Sequence, residues 1–209
     1  MKLSRLALAI AVMPGLSLAA EPYVAEPLVV TSGRLAEPQA RATAATTVFE
    51  RDDIERLQVS SVTELLERVP GLSVVRTGGA GSQTGVFLRG TSTAQTLVLV
   101  DGQRIAAASS GTSSLEFLAP EQIERIEVVR GARSALYGSD AIGGVIQIFT
   151  RQGDGRGLKP YARLAAGSDS TYQRSLGLAG GDERTRFNLS AALDETAGID
   201  ATRDGLGAN

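Results

Sequence analysis

The sequence predicts an α+β domain followed by the first antiparallel strands of an incomplete transmembrane β-barrel. Three observations carry this expectation. From Thr43 to Thr150 two helical signals alternate with short apolar strands and Gly- or Pro-containing turns, the pattern of one α+β domain of ordinary size. After Arg151 come strand-length segments in which apolar and polar residues alternate, the dyad pattern of a barrel strand. Beyond the N-terminus no apolar stretch approaches the roughly 20 residues of a membrane-crossing helix. Any crossing must then use strands, whose backbone groups pair with one another.

Two helices are expected first. Asp52 precedes Asp53-Ile54-Glu55, with Ile54 and Leu57 on one face. Ser61-Val62-Thr63-Glu64 reads as a capping box, in which the Ser and Glu side chains satisfy orphan N–H groups reciprocally. Val62, Leu65, Leu66 and Val69 follow at helical spacing, and Pro70-Gly71 stops the run. Strands are expected at Ser73 to Val75, Val86 to Arg89 and Leu97 to Val100, then a hairpin turn at Asp101-Gly102 returning through Gln103-Arg104-Ile105. Glu121 to Arg125 reads as a short helix; Glu127 to Arg130 and Val145 to Thr150 read as strands.

Gly153 to Gly157 is a linker. Three barrel-like segments follow, near Tyr161 to Ala166, Tyr172 to Ala179 and Arg186 to Leu193, with a tight turn expected at Gly180-Gly181-Asp182. In the third, Phe187, Leu189 and Ala191 alternate with Arg186, Asn188 and Ser190. A soluble two-sheet sandwich produces the same alternation. Three strands do not close a barrel, and open edges are not tolerated in lipid. The segment is therefore either the start of a longer barrel or part of a soluble sheet. Glu195 to Asn209 is polar and Gly-containing, like a long loop.

Composition removes several function classes. With no Cys and no His among 209 residues, a disulfide framework, a Cys or His catalytic system and a zinc site of the usual ligands are excluded. Twenty-one basic against 23 acidic residues give a net charge of -2 and no electrostatic footprint for nucleic acid. Lys2 and Arg5, the apolar run Leu6 to Val12 and the small residues around Ser17-Leu18-Ala19 read as an export signal over residues 1–19; the apolar run is too short for a membrane anchor. Residues 20–42 form an irregular tether with one β-prone island, Leu28-Val29-Val30-Thr31.

Several motifs then carry a resemblance. Leu65-Leu66-Glu67-Arg68-Val69-Pro70-Gly71-Leu72-Ser73-Val74, Val86-Phe87-Leu88-Arg89-Gly90 and Leu97-Val98-Leu99-Val100-Asp101-Gly102-Gln103-Arg104 resemble the plug of TonB-dependent outer-membrane receptors. So does Ile123-Glu124-Arg125-Ile126-Glu127-Val128-Val129-Arg130-Gly131 running into Ser134-Ala135-Leu136-Tyr137-Gly138-Ser139-Asp140-Ala141-Ile142-Gly143-Gly144-Val145. Order and spacing are those of the family. Within it the chain is most similar to the vitamin B12 (cobalamin) receptors, on Leu28 to Thr31, the Gly78-Gly79-Ala80-Gly81 loop and the Arg133 to Gly144 run.

The resemblance implies an α+β plug domain over residues 43–152 and the start of a barrel over 153–209, in the outer membrane after export. It implies a TonB box at Leu28, Val29, Val30 and Thr31, read by the inner-membrane TonB protein through β-augmentation. A first strand of the plug sheet is the competing reading of that island. The resemblance places ligand contacts on Ser82, Gln83, Thr84 and Gly85, and on Ala107, Ala108, Ser109 and Ser110 of a second loop running to Ser114. The implied ligand is cobalamin; a siderophore or haem is the alternative within the family, and a barrel-less periplasmic interaction domain is the alternative outside it. No cofactor is implied, and calcium is conceivable only in barrel loops, where Asp194, Asp200 and Asp204 are scattered at irregular spacing.

Two tempting motifs are set aside. Gly138 to Gly144 lacks the Lys and Ser/Thr order of a phosphate loop and reads as a turn. Ser139-Asp140 has no His to act as base, so no covalent chemistry and no enzyme is expected. Arg89, Arg130 and Arg133 sit at strand ends or turns, either as surface ion-pair partners or facing carboxylates of a barrel wall.

Overall fold

The computed structural model describes residues 29–30, 37–38, 44–79, 81–106, 113–153, 157–182 and 184–198. A two-residue ladder, β1 (Val29–Val30) with β2 (Glu37–Pro38), comes first. Next are β3 (Ala45–Phe49), α1 (Arg51–Leu57) and α2 (Val62–Leu66). The hairpin β4 (Leu72–Arg76) and β5 (Thr84–Leu88) follows, then β6 (Thr96–Val100) and β7 (Gln103–Arg104). The domain closes with β8 (Ile123–Arg130), α3 (Ser134–Tyr137) and β9 (Gly144–Thr150). Beyond it lie β10 (Lys159–Gly167), β11 (Thr171–Gly181) and β12 (Arg186–Glu195). The expected α+β domain followed by antiparallel strands is thus the architecture that forms.

The domain is built on one mixed sheet of order β3-β8-β9-β6-β7, parallel between β6 and β9 and antiparallel elsewhere. Successive side chains point to opposite faces. Val98, Ile126, Val128, Ile146 and Ile148 therefore join the main core, with Ile54, Val62, Leu65, Leu66 and Leu88 from α1, α2 and β5. Leu97, Leu99 and Val145 join a second cluster, closed by Ala141 and Tyr137. Both faces are covered, which is why β6 and β9 read as near-continuous apolar runs rather than as alternation. Each fully buried Leu or Ile contributes about 1.5–3 kcal/mol over an exposed one.

Local signals set the details. Asp101 and Gly102 both adopt positive φ (48° and 80°) in a two-residue loop, the turn that Asp-Gly predicts. The Asp101 carboxylate also accepts from the N–H (2.9 Å) and Oγ1 (2.6 Å) of Thr150, tying the turn to the end of β9. At α2 the capping box is shifted. Ser61 Oγ accepts from the Glu64 N–H at 3.4 Å, but the Glu64 carboxylate accepts from Ser60, one residue earlier than expected. Gly144 has φ of +152°, and an added Cβ would lie 2.2 Å from the Val129 carbonyl oxygen and 2.5 Å from Leu88 Cδ2.

Three expectations are corrected. Glu121 to Arg125 is not helical: a 3-10 turn at Pro120–Gln122 gives way to β8 at Ile123. Ile123, Ile126 and Val128 are buried against the core, so sheet pairing overrides the local helical preference of Glu and Arg. Gly180-Gly181 does not form the turn but ends β11, and the turn lies at Asp182, whose carboxylate accepts from the N–H groups of Arg184 and Thr185. Gly180 instead lies against Gly153, where a Cβ would sit 1.9 Å from the Gly180 carbonyl oxygen; a Cβ on Gly180 itself would lie 2.7 Å from Leu158 Cδ2. The third correction is an omission, since β3 and α3 had no sequence forecast.

Strands β10, β11 and β12 form a separate antiparallel sheet in that order. One face carries Tyr161, Arg163, Gln173, Ser175 and Asn188, half-buried or buried. The other carries Leu164 (80% exposed), Leu176, Phe187, Leu189 (72%) and Leu193. An apolar face turned outward and a polar face turned toward the domain invert the order of a soluble sheet and match a lipid-facing wall.

Two outcomes test this account. Gly144→Ala is expected to lower the stability of the chain by about 1–3 kcal/mol, read as a shifted urea midpoint in detergent. Burial raises the Glu50 carboxyl above its usual value, against the opposing pull of Arg125. The folded state thus disfavours the ionised form; the stability tied to this group is full below the ordinary carboxyl pKa of about 4.3 and lost as pH rises through the raised folded value. Glu50→Gln should then raise the unfolding temperature at pH 7 and change nothing near pH 4.

Candidate functional site

The tether enters the domain at its edge. Val29 pairs with Pro38 and Val30 with Glu37 in a sheet of their own, and neither valine joins the five-stranded sheet. Pro38 has no N–H to donate, so the ladder is minimal. Leu28 and Thr31 lie outside the described residues. The chain then continues into β3, an outer strand paired on one side only, with β8. A pull on the tether is therefore felt first at β3.

The first proposed ligand loop is the tip of the β4–β5 hairpin. The N–H and Oγ1 of Thr77 both donate to the Gln83 carbonyl (3.1 Å each), and the Ser82 N–H donates to Gly79 (3.1 Å), folding the tip into a compact turn. Gly79 and Gly81 face open space. Of the residues assigned by resemblance, Gln83 is exposed and Ser82 half-buried at this tip. Thr84 is 2% exposed and donates to the Ser82 carbonyl, so its side chain belongs to the domain interior. Gly85 lies within β5, beside Phe87 and Thr93. Ala107, Ala108, Ser109 and Ser110 lie outside the described residues. Just after them Leu115 is buried while Phe117 is 74% exposed.

Arg89, Arg130 and Arg133 lie toward the end of the sheet at which β3 begins, Ala45 being paired with Arg130. The Arg89 backbone adopts φ of 52° and donates to the Gly71 carbonyl at 2.7 Å, and an added Cβ on Gly131 would lie 3.5 Å from its Nη1. Arg130 Nη1 donates to the Pro70 carbonyl at 3.2 Å. The Arg133 N–H donates to Ala141 at 2.7 Å. Among the described residues the ion pairs run through other arginines, such as Arg51 with Glu55 and Arg125 with Glu127. The Arg89 and Arg130 guanidinium groups thus present positive charge at one end of the sheet.

The remaining motifs are structural. The Gly138 to Gly144 run follows α3 instead of preceding a helix, so it offers no helix N-terminus to a phosphate. Its Gly143 N–H donates to Gln95. Ser139 donates to Asp140 at 3.0 Å, and Asp140 pairs with Arg104, which pins the turn to β7. No group of three or more Asp or Glu side chains is placed to hold a metal among the described residues. Asp194 lies on β12, and Asp200 and Asp204 lie outside the described residues.

A polar seam between domain and strands was not foreseen. Glu55 accepts from Arg51 (2.7 Å) and Arg151 (3.0 Å), and these cations hold its carboxyl below the usual range. The Arg151 guanidinium also stacks on the Tyr161 ring, 4.6 Å from its centroid. Arg163 reaches Glu121 and the Val59 carbonyl. The alternation of β10 puts Tyr161 and Arg163 on one face, but only the fold shows that this face meets α1.

Residues 38–145 match the family model described as the TonB-dependent receptor plug domain. Among solved structures, the chain is similar to the pyoverdine outer membrane receptor of Pseudomonas aeruginosa, at 21% identity and a TM-score of 0.67 over 80% of this chain and 24% of the receptor. The ferric enterobactin receptor of the same organism gives 23% identity and a TM-score of 0.57 over 75% of this chain and 25% of that one. The ferric yersiniabactin uptake receptor of Yersinia pestis gives 25% identity and a TM-score of 0.58 over 73% and 24%. The chain spans about a quarter of the length of these receptors.

The hairpin geometry separates two substitutions. Thr84→Trp forces bulk into a filled interior and should destabilise the chain by about 1–3 kcal/mol. Gly79→Gln, into open space, should stay within about 0.5 kcal/mol of the parent. Denaturant midpoints of the two variants check the difference.

Proposed function

The chain belongs to the TonB-dependent receptor plug-domain family, and from that premise we propose that it is the plug-bearing part of an outer-membrane receptor that imports a ferric siderophore. Its place is the outer membrane, and its work is binding and transport rather than covalent chemistry. The observation that carries the reading is the plug match over 38–145 running into three strands whose apolar face points outward. In a barrel-less periplasmic domain the same face would leave Leu164 and Leu189 in water.

Ligand meets the outward tip of the β4–β5 hairpin, where Ser82 and Gln83 offer neutral hydrogen-bonding groups beside open glycines. The second contact loop is Ala107 to Ser110. Leu28 to Thr31 serves as the TonB box: the partner adds its own strand to this extended segment, so force passes through backbone hydrogen bonds. A two-residue ladder is easily exchanged for such a partner. Arg89 and Arg130 face carboxylates of the completed wall, which hold the plug until the tether is pulled.

The neighbours named above are receptors for pyoverdine, enterobactin and yersiniabactin, and this favours a siderophore over the cobalamin suggested by the sequence motifs. Cobalamin stands as the competing ligand. The experiment uses the intact gene product in cells. Surface binding and energised uptake are measured for a panel of ferric siderophores and for cobalamin, in the parent and in Val29→Pro. Proline removes a backbone donor and fixes φ. Binding of one siderophore that survives Val29→Pro while its uptake collapses is the expected outcome. Binding of cobalamin alone would overturn the ligand, and normal uptake in Val29→Pro, or a matched loss of binding and abundance, would overturn the box.

A further inference from the structure

We propose that Arg163 seals the seam between plug and wall by clamping two separate plug segments from the first wall strand. The inference rests on the reading that β10, β11 and β12 belong to a closed barrel. Arg163 Nη1 donates to the Val59 carbonyl at 2.9 Å and to the Glu121 carboxylate. Val59 lies in the link between α1 and α2, while Glu121 lies in the turn before β8. One guanidinium thus fastens two stretches that are 62 residues apart in sequence (121 − 59) to the wall.

The chemistry of the seam runs in one direction. Gln173 of β11 donates to the Ser60 carbonyl at 3.3 Å, and Asn188 of β12 donates to the Arg151 carbonyl at 2.8 Å. Donors come from all three strands, and acceptors, three carbonyls and one carboxylate, come from the plug. These carbonyls terminate or link elements and have no strand to pair with, so the wall satisfies them. The Arg163 and Glu121 side chains are 22% and 12% exposed, enclosed enough that salt screens the pair weakly.

Beside the clamp lies a cleft of about 440 Å3, lined among others by Arg51, Glu55, Gln58, Arg151, Tyr161 and Arg163 itself. The Arg163–Glu121 pair is part of its boundary. Truncating Arg163 widens the cleft toward Val59 and Ser60 and leaves Glu121 enclosed without a cation, which draws water into the seam. The side chain therefore acts as a seal against leakage, separate from ligand contact and from the tether.

The test uses the intact gene product in outer membranes, with hydrophilic antibiotics too large for ordinary porins as probes of leakage. Arg163→Ala and Glu121→Ala are each expected to raise antibiotic sensitivity several-fold, with surface ligand binding retained. The double variant should be no leakier than either single one, as coupled residues are not additive. Arg163→Lys, which keeps a cation and N–H donors for both Val59 and Glu121, should retain most of the exclusion. Parental exclusion in Arg163→Ala at parental abundance overturns the seal. If Arg163→Ala lowers abundance, Arg163→Met, which keeps the bulk and removes the donors, decides: leakage at parental abundance supports the seal, and parental exclusion or reduced abundance overturns it. A parent protein that forms no heat-modifiable barrel and binds no ligand would instead remove the receptor reading.

Discussion

Strand β9 is the constraint on which the rest of the structure depends. It pairs antiparallel with β8 and parallel with β6, and its side chains divide between two apolar clusters. Because both of its faces are covered, every element packed on the sheet is referred to this one strand. Its two ends also define the two working ends of the domain. At Gly144 the backbone comes so close to Val129 and Leu88 that no Cβ fits, and the arginines gather there. At Thr150 the Asp101 carboxylate closes the strand end, and Arg151 carries the chain into the seam with the wall.

The distribution of weak and strong attachment follows from this centre. β3 lies at the margin of the sheet, pairs with β8 alone and has no fully buried residue. It is also the first plug element after the tether. β8, β9 and β6 are held on two sides and on both faces. Local opening costs least where few buried contacts must be broken, so a force entering from the N-terminal side meets the weakest part of the plug first.

The wall strands obey the opposite solvent rule. Their outward face is apolar, and their inward face carries the side chains that the plug's unpaired carbonyls require. Plug and wall are therefore complementary in hydrogen-bond polarity. This explains how polar residues at Arg163, Gln173 and Asn188 occupy half-buried positions without the cost of unpaired buried groups.

The sequence by itself determined the apolar runs of β6 and β9, the Asp101-Gly102 turn, the start of α2 after Ser61, and the alternation of β12; α2 itself ends at Leu66, short of the expected Pro70-Gly71 stop. In each, the signal is local: a period, a turn pair or a cap, with the answer contained in a few neighbouring residues. Tertiary structure alone decided that Glu121 to Arg125 enters a strand, because the burial of Ile123 and Ile126 outweighs local propensity. It also turned Thr84 inward, away from the ligand loop, and placed Gly180 against Gly153 rather than in a turn. The clamp of Arg163 on Val59 and Glu121 belongs to the same class. Its partners are far apart in sequence, and nothing in a single strand's alternation says which carbonyl or carboxylate will lie across from it.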